Sequence, residues 1–367
     1  MKFSYFAFLF AFFSSNNLAD TVVLGMSNAL SGPTKNLGQQ VKYGAELYFK
    51  QYNASELGKK HPIKLISYDD GYEPEQTIKN TQTLIEKDNV FALFNYVGTP
   101  TSKAILPYLE QNKAIYFSPY TGAEFLRFPH RPEFFNIRAS YYNEAETQIK
   151  YFVDHLELKN IAMFIQADDF GLAASQGYLK ALKSRNISKV QQVRYKRNTV
   201  NISTASKKLI QLNPDVIFCV GTYEPIAKLV NQLRENNIMS NVVTLSFAGA
   251  ESLRVRLKDP QKVFITSVMP DPKNSMLPIV ASYRKAMKNQ KLSHESLEGY
   301  INAATFAHII GNIGDKPITK ANFIKAAESK PIYVEGIDLN FSNSNHQGLS
   351  NSYLHRITNE GLIPVFF

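Results

Sequence analysis

One unit recurs along this chain and constrains its fold more than any other feature. It is a short apolar run, a turn of Gly, Pro, Asp or Thr, and an amphipathic helical stretch. Residues 90–109 show the whole unit. Val90 to Phe94 is an apolar run of the kind a parallel sheet buries. Gly98-Thr99-Pro100-Thr101 is a turn, because Gly98 permits a backbone other residues resist and Pro100 suits the first turn of a helix. Ala104, Ile105, Tyr108 and Leu109 then share one helical face. Strand, turn and helix in that order bring the Thr99 and Thr101 hydroxyls to the carboxyl edge of a sheet. Open α/β sheets bind ligands there, and a helix N-terminus favours an anion. Taken alone the turn is an ordinary connection; its repetition gives it meaning.

The unit repeats on both sides. Strand signals fall at 21–27, 63–68, 114–117, 160–165, 190–195, 215–220 and 242–245. Helical patterns fall at 38–52, from Pro74 to about 87, and at 142–156, then from about 172 to 184, at 201–211 and from about 225 to 235. Repeated strand–helix units predict an α/β protein built of parallel sheets with right-handed crossovers. A chain of 367 residues is too long for most single cores. The expectation is two doubly wound lobes facing one another across a cleft. The Pro129 and Pro132 segment interrupts the rhythm and marks a first crossing between lobes, and Val263 to Met269, ending in Pro270, marks the return. One lobe is expected over 20–138 plus 267–330, the other over 139–266 plus 331–367.

Residues 1–19 read differently. Lys2, an apolar core from Phe3 to Phe13 and a small residue at Ala19 make a cleavable secretory signal peptide, too short to span a membrane. The single cysteine, Cys219, excludes an internal disulfide and cysteine-based zinc clusters, and its apolar run Val216–Val220 reads as a buried thiol. The formal charge of +10 is spread along the chain without a basic block or a nucleic-acid module, so a solvated surface is expected and no nucleic-acid partner.

Catalytic signatures are sparse. No phosphate loop, Gly-x-Ser-x-Gly elbow or zinc-protease spacing occurs, Glu298 standing where His294-Glu295 would need its second histidine. The seven histidines do not cluster in sequence. No metal and no cofactor is expected. Asp69/Asp70 and Asp168/Asp169 sit in strand-to-helix turns, where acid–base work or metal binding competes with capping, the favoured reading. More informative are the hydroxyls and aromatics at successive strand ends: Thr99, Tyr120, Thr121, Phe170, Tyr223 and Phe247, with Tyr300 further on. An apolar-aromatic pocket with a few polar anchors holds a small ligand.

The chain also resembles the periplasmic solute-binding proteins of the branched-chain amino acid type. The landmarks are Leu30-Ser-Gly-Pro33, Tyr68-Asp-Asp-Gly-Tyr-Glu-Pro74, Tyr96-Val-Gly-Thr-Pro-Thr101, Thr121-Gly-Ala-Glu-Phe-Leu-Arg127, Arg138-Ala-Ser-Tyr-Tyr142, Gln166-Ala-Asp-Asp-Phe-Gly171, Ser246-Phe-Ala-Gly249 and Leu297-Glu-Gly-Tyr300. The resemblance covers nearly all of the chain beyond the signal peptide. It implies two lobes joined by three crossovers, closing by a hinge on a small molecule for an ABC transporter permease in the membrane, with the protein a periplasmic monomer. It implies that Leu37 lies over the ligand and that Thr99 holds a carboxylate. Tyr120, Thr121 and Gly122 form the next contacting loop, and Phe170, Tyr223 and Tyr300 supply aromatic walls.

One departure stands out. The leucine-type binders hold the ligand ammonium with an acid from the loop that here reads Ser246-Phe-Ala-Gly249, and Phe247 and Ala248 occupy its place. A buried ammonium without a carboxylate is costly. Either another acid substitutes, Asp168, Asp169 or Glu224 being nearest, or the ligand is not an α-amino acid. The second is the reading adopted: an organic carboxylate, an amide or a similar small molecule. Two alternatives remain beside transport, a receptor reporting ligand state to a membrane sensor and a secreted hydrolase using Asp168/Asp169.

Overall fold

The computed structural model describes residues 21–367, so the expected signal peptide lies outside the described residues. Five strands form the first sheet: β1 (Val22–Asn28), β2 (Ile63–Asp69), β3 (Ala92–Phe94), β4 (Ile115–Phe117) and β5 (Phe134–Phe135). Their order is β2-β1-β3-β4-β5 and every pairing is parallel. The second sheet takes β6 (Ile161–Gln166), β7 (Gln191–Tyr195), β8 (Val216–Val220), β9 (Asn241–Thr244) and β10 (Val263–Ser267). After them come a hairpin of β11 (Ile332–Val334) and β12 (Ile337–Leu339), and then β13 (Tyr353–Ile357) and β14 (Leu362–Pro364), which extend the second sheet antiparallel. That sheet reads β14-β13-β10-β9-β8-β6-β7.

Both sheets are buried on both faces by helices, which explains continuous apolar runs such as Ile161–Gln166 and Val216–Val220, buried at every position. In the first sheet the chain order reverses between β1 and β3; in the second it reverses between β6 and β8. Loops diverge at such points and leave a crevice at the strands' carboxyl ends. Helix Thr99–Gln111 starts after β3, helix Asp169–Lys183 after β6 and helix Tyr223–Glu235 after β8.

Helices Lys35–Ala54 and His294–Ile313 cross almost backbone to backbone. A Cβ at Gly44 would stand 1.8 Å from the Ser296 carbonyl oxygen, so only glycine permits this approach. It draws the first turn of the long helix, with Glu295 and Glu298, in beside the crevice.

The chain passes between the sheets at 136–141, 268–277 and 340–352. The first and third crossings run side by side, joined by Asn136 N–H to His346 O at 2.9 Å, Gly348 N–H to Asn136 O at 2.8 Å and Leu349 N–H to Ile137 O at 2.7 Å. The tail divides where a single assignment to the second lobe was expected. Ile332, Val334, Ile337, Leu339 and Phe341 are buried among first-lobe residues such as Phe117 and Phe306, while Leu354 and Ile357 join the second core. The reason is the apolar alternation of β11 and β12, which needs a helix face to cover it and finds helix His294–Ile313.

Candidate functional site

At the carboxyl end of β3, Gly98 takes a φ of 118° and precedes helix Thr99–Gln111. A Cβ there would lie 2.4 Å from the Tyr72 ring, so glycine lets that ring in. The Thr99 hydroxyl lies 2.7 Å from that of Thr121 and 3.2 Å from that of Tyr141, and Thr121 and Tyr141 are themselves 3.2 Å apart. All three residues are fully buried. A hydroxyl carries one proton and two acceptor sites. Three hydroxyls that turn outward offer three donors to one acceptor group such as a carboxylate. Thr101 takes no part: its hydroxyl donates to the Val97 carbonyl at 2.8 Å. Gly122 serves by being small, since a Cβ there would stand 2.5 Å from Cδ1 of Tyr141.

The second lobe answers with aromatic rings. Phe170, in the first turn of helix Asp169–Lys183, packs 5.3 Å from Tyr141 and 4.6 Å from Phe247. Phe247 reaches across to Tyr120 at 5.6 Å and Tyr72 at 6.3 Å. Tyr223 begins helix Tyr223–Glu235, accepts from Asn36 N–H at 3.4 Å and lies under the Arg256 guanidinium at 4.6 Å. Leu37 meets Gly249, where a Cβ would be only 2.7 Å from Cδ2 of the leucine and where φ is +86°. Leu37, Thr99, Tyr120, Thr121, Gly122, Phe170, Tyr223 and Phe247 therefore converge.

Tyr300 does not. Its ring packs edge-on against Tyr48 at 5.0 Å and its hydroxyl donates to Gln51 at 2.6 Å. It lines a groove of about 720 Å³ on the outer side of the first lobe, with Tyr52 and Lys285. Helix His294–Ile313 is buried nearly all round, and its turn places residue 300 away from the crevice that Glu295 faces.

Contacts at the rim hold the two lobes together. Arg197 donates to the Tyr72 carbonyl at 2.5 Å and pairs with Glu73, while Asn198 donates to the Gly71 carbonyl at 3.1 Å. The described chain is thus in a closed state.

Arg138 is fully buried at the first crossing and 3.6 Å from Glu298, with a donor bond to Ser246. Glu144 accepts from the Ser246 amide at 2.7 Å and from its hydroxyl at 2.9 Å. Burial pushes the Glu298 carboxyl up to about 7, against the pull of Arg138.

The aspartate pairs cap and brace turns. Asp168 accepts from Phe170 N–H at 3.0 Å and Gly171 N–H at 3.1 Å; Asp69 accepts from Leu30 N–H at 2.9 Å and Ser31 N–H at 3.1 Å. Cys219 is buried and burial drives its thiol pKa upward. Four of the seven histidines, scattered in sequence, meet as two pairs, His130 with His346 at 4.8 Å and His294 with His355 at 6.2 Å. Among the described residues no group of three or more His, Cys, Asp or Glu side chains could hold a metal ion, and no helix is long and apolar enough to cross a membrane.

A model of the periplasmic binding protein family matches residues 21–361. The chain belongs to that family. Its structure superposes with a TM-score of 0.90 and 30% identity on a "possible leucine/isoleucine/valine-binding protein" from Rhodopirellula baltica, covering 96% of this chain and 98% of that one. An amino acid binding protein of Pseudomonas aeruginosa is 20% identical over 250 residues, 67% of its length. The Leu/Ile/Val-binding protein of Escherichia coli is 20% identical over 222 residues, so the aligned part spans 60% of that relative. A benzoate-bound solute-binding protein from R. palustris shares the fold, with a TM-score of 0.83 at 14% identity. This periplasmic binding protein is of the branched-chain amino acid type, and its family is a periplasmic one that binds small solutes for transport.

Three neighbours of the site escaped the sequence reading. Tyr72 takes a φ of +66°, and its buried hydroxyl has no partner. Its signal was its place in the turn after β2. Tyr141 completes the hydroxyl triangle, and Arg138 backs Tyr120; both lie within the Arg138–Tyr142 landmark.

Proposed function

We propose that this protein captures a small molecule between its lobes and delivers it, in the closed form, to an ABC transporter permease. The observation that carries this reading is the meeting of the Thr99 and Thr121 hydroxyls of the first lobe with Tyr141, Phe170, Phe247 and Tyr223 of the second. Each set alone is half a site, and only closure joins them. The hydroxyl triangle suits a carboxylate or another compact acceptor; the rings suit an apolar body. The protein acts as a monomer, one cleft per chain. Leu37 and Tyr120 complete the walls.

A thermal-shift screen over amino acids, aromatic acids, amides and polyamines tests it. A ligand that binds only the folded form raises its melting temperature. Uptake of that ligand by cells lacking the protein should fall and return on complementation. Binding without any change in uptake would point instead to a sensory receptor.

A further inference from the structure

We infer that Glu295 is the counter-charge of the ligand cleft and that the ligand carries a positively charged nitrogen. This rests on the cleft reading above and reverses the expectation that Phe247 and Ala248 exclude an amino acid. It depends on where the buried acids stand and what already holds them.

The acids named from the sequence do not serve, and Glu251, three residues from Ala248, pairs with Arg254 at 2.6 Å and Lys291 at 2.7 Å. Asp168 caps a helix and takes the Gln166 amide at 2.6 Å, Asp169 is exposed, and Glu224 pairs with Arg256 at 2.6 Å. Glu295 is different. It is 3% exposed, and its Oε1 has no hydrogen-bond partner. That oxygen lies 3.5 Å from where a Cβ would stand on Gly249, a spot it shares with Cδ1 of Tyr223 at 3.5 Å and Cδ2 of Leu37 at 2.7 Å. The orphaned oxygen thus faces the loop where an acid was expected, but approaches it from the other lobe. Beside it is a cavity of about 170 Å³ between the lobes, lined by Asn36, Gln40, Ser252, Arg256, Lys291 and a second acid, Glu251, as well as Glu295.

Basic groups are near but committed. Lys291 bonds Glu251 at 2.7 Å and Arg256 bonds Glu224 at 2.6 Å. Arg138 faces Glu298 at 3.6 Å and donates to Ser246, its Nε and Nη1 having no hydrogen-bond partner, and Arg127 is spent on the carbonyls of Ala123 and Arg138 at 2.9 Å each. Among the described residues no basic side chain forms an ion pair with Glu295. The N-terminal turn of its own helix favours an acid, and that offsets part of its burial. Burial still drives its carboxyl upward, against hydrogen bonds from its own amide, the Ser293 side chain and the Ala250 amide. A buried carboxylate without a cation is costly, and an incoming ammonium removes that cost. The hydroxyl triangle then takes the acceptor end of the same ligand, and Phe247 covers the body between.

Calorimetry with two matched sets of probes tests this. One set is L-leucine, isocaproate and isoamylamine; the other is L-phenylalanine, hydrocinnamate and phenethylamine. Within each set the probes keep the carbon skeleton and lose the ammonium or the carboxylate. The amino acid should bind wild type about 10- to 100-fold more tightly than its des-amino acid, the range of a hydrogen bond to a charged group, and Glu295→Gln should abolish that preference. Equal affinity for both, or a preference that survives in Glu295→Gln, overturns the inference. If Thr99→Ala weakens binding while Glu295→Gln does not, this inference falls and the cleft reading stands. If neither variant changes affinity, the cleft reading itself falls. Should none of the probes bind, melting of the ligand-free protein at neutral pH decides. Glu295→Gln should melt higher, because it removes an uncompensated charge. A lower melting temperature makes Glu295 a structural partner and overturns the proposal.

Discussion

The Arg138 guanidinium lies 4.2 Å from the centroid of the Tyr120 ring, and Phe247 of the opposite lobe packs against the same tyrosine. A charge at a lobe crossing thus stiffens a wall of the cleft by stacking. Removing it leaves Glu298 buried beside Glu144 with no cation in contact. Arg138→Met should cost about 3–5 kcal/mol in urea unfolding. Combined with Glu298→Gln it should cost clearly less than the sum, since the pair shares one interaction. Strict additivity would show that the two side chains do not couple.

Thr99→Ala removes one corner of the hydroxyl triangle without touching the core beneath. Ligand affinity should fall by about 1.5–3 kcal/mol, the range for a hydrogen bond to a charged group, with the fold intact. Calorimetry on the ligand found by screening measures it; an unaltered affinity would remove Thr99 from the site.

Tyr300→Ala should act on stability alone. The ring packs against Tyr48 and Tyr283 on the far side of its helix, and large-to-small changes of this kind cost about 3–5 kcal/mol. A variant that melts as wild type but binds poorly would return Tyr300 to the cleft.

Burial pushes the Asp70 carboxyl from 3.8 to about 6, while the Tyr72 amide and the Ser27 and Thr77 hydroxyls pull the other way. The folded state therefore holds this proton more tightly than the unfolded state. Its penalty is absent below about pH 4 and complete above about pH 6, on the order of 3 kcal/mol. Asp70→Asn should flatten the fall of melting temperature across that window. An unchanged slope would assign the effect to other groups.

Much of the fold was legible because parallel strands buried on both faces leave unmistakable apolar runs, as at Ile161–Gln166. The turns were legible too, because Gly98 and the aspartate pairs have few other uses there. The geometry of the candidate site was legible where a residue opens the helix after a strand, as Thr99, Phe170 and Tyr223 do. It was opaque where position depends on packing between distant elements. Tyr300 sits on a helix buried nearly all round, so periodicity singles out no face. Glu295 meets Gly249 only because Gly44 lets two helices touch, a relation no local pattern records. The hairpin β11–β12 declared its buried face by alternation but not which core would receive it.

Two of the three spans between the lobes are zipped together by the backbone bonds of Asn136 and Ile137 with residues 346–349. A paired ribbon bends across its face and resists sliding along its length. Under the proposed opening, this pairing favours a swing over sideways slippage of one sheet past the other. In the proposed cycle each closure would return Thr99 and Thr121 of one half to the same alignment with the rings of the other. On the proposed function, fidelity of capture is written into the connecting strands, away from the residues assigned to the ligand.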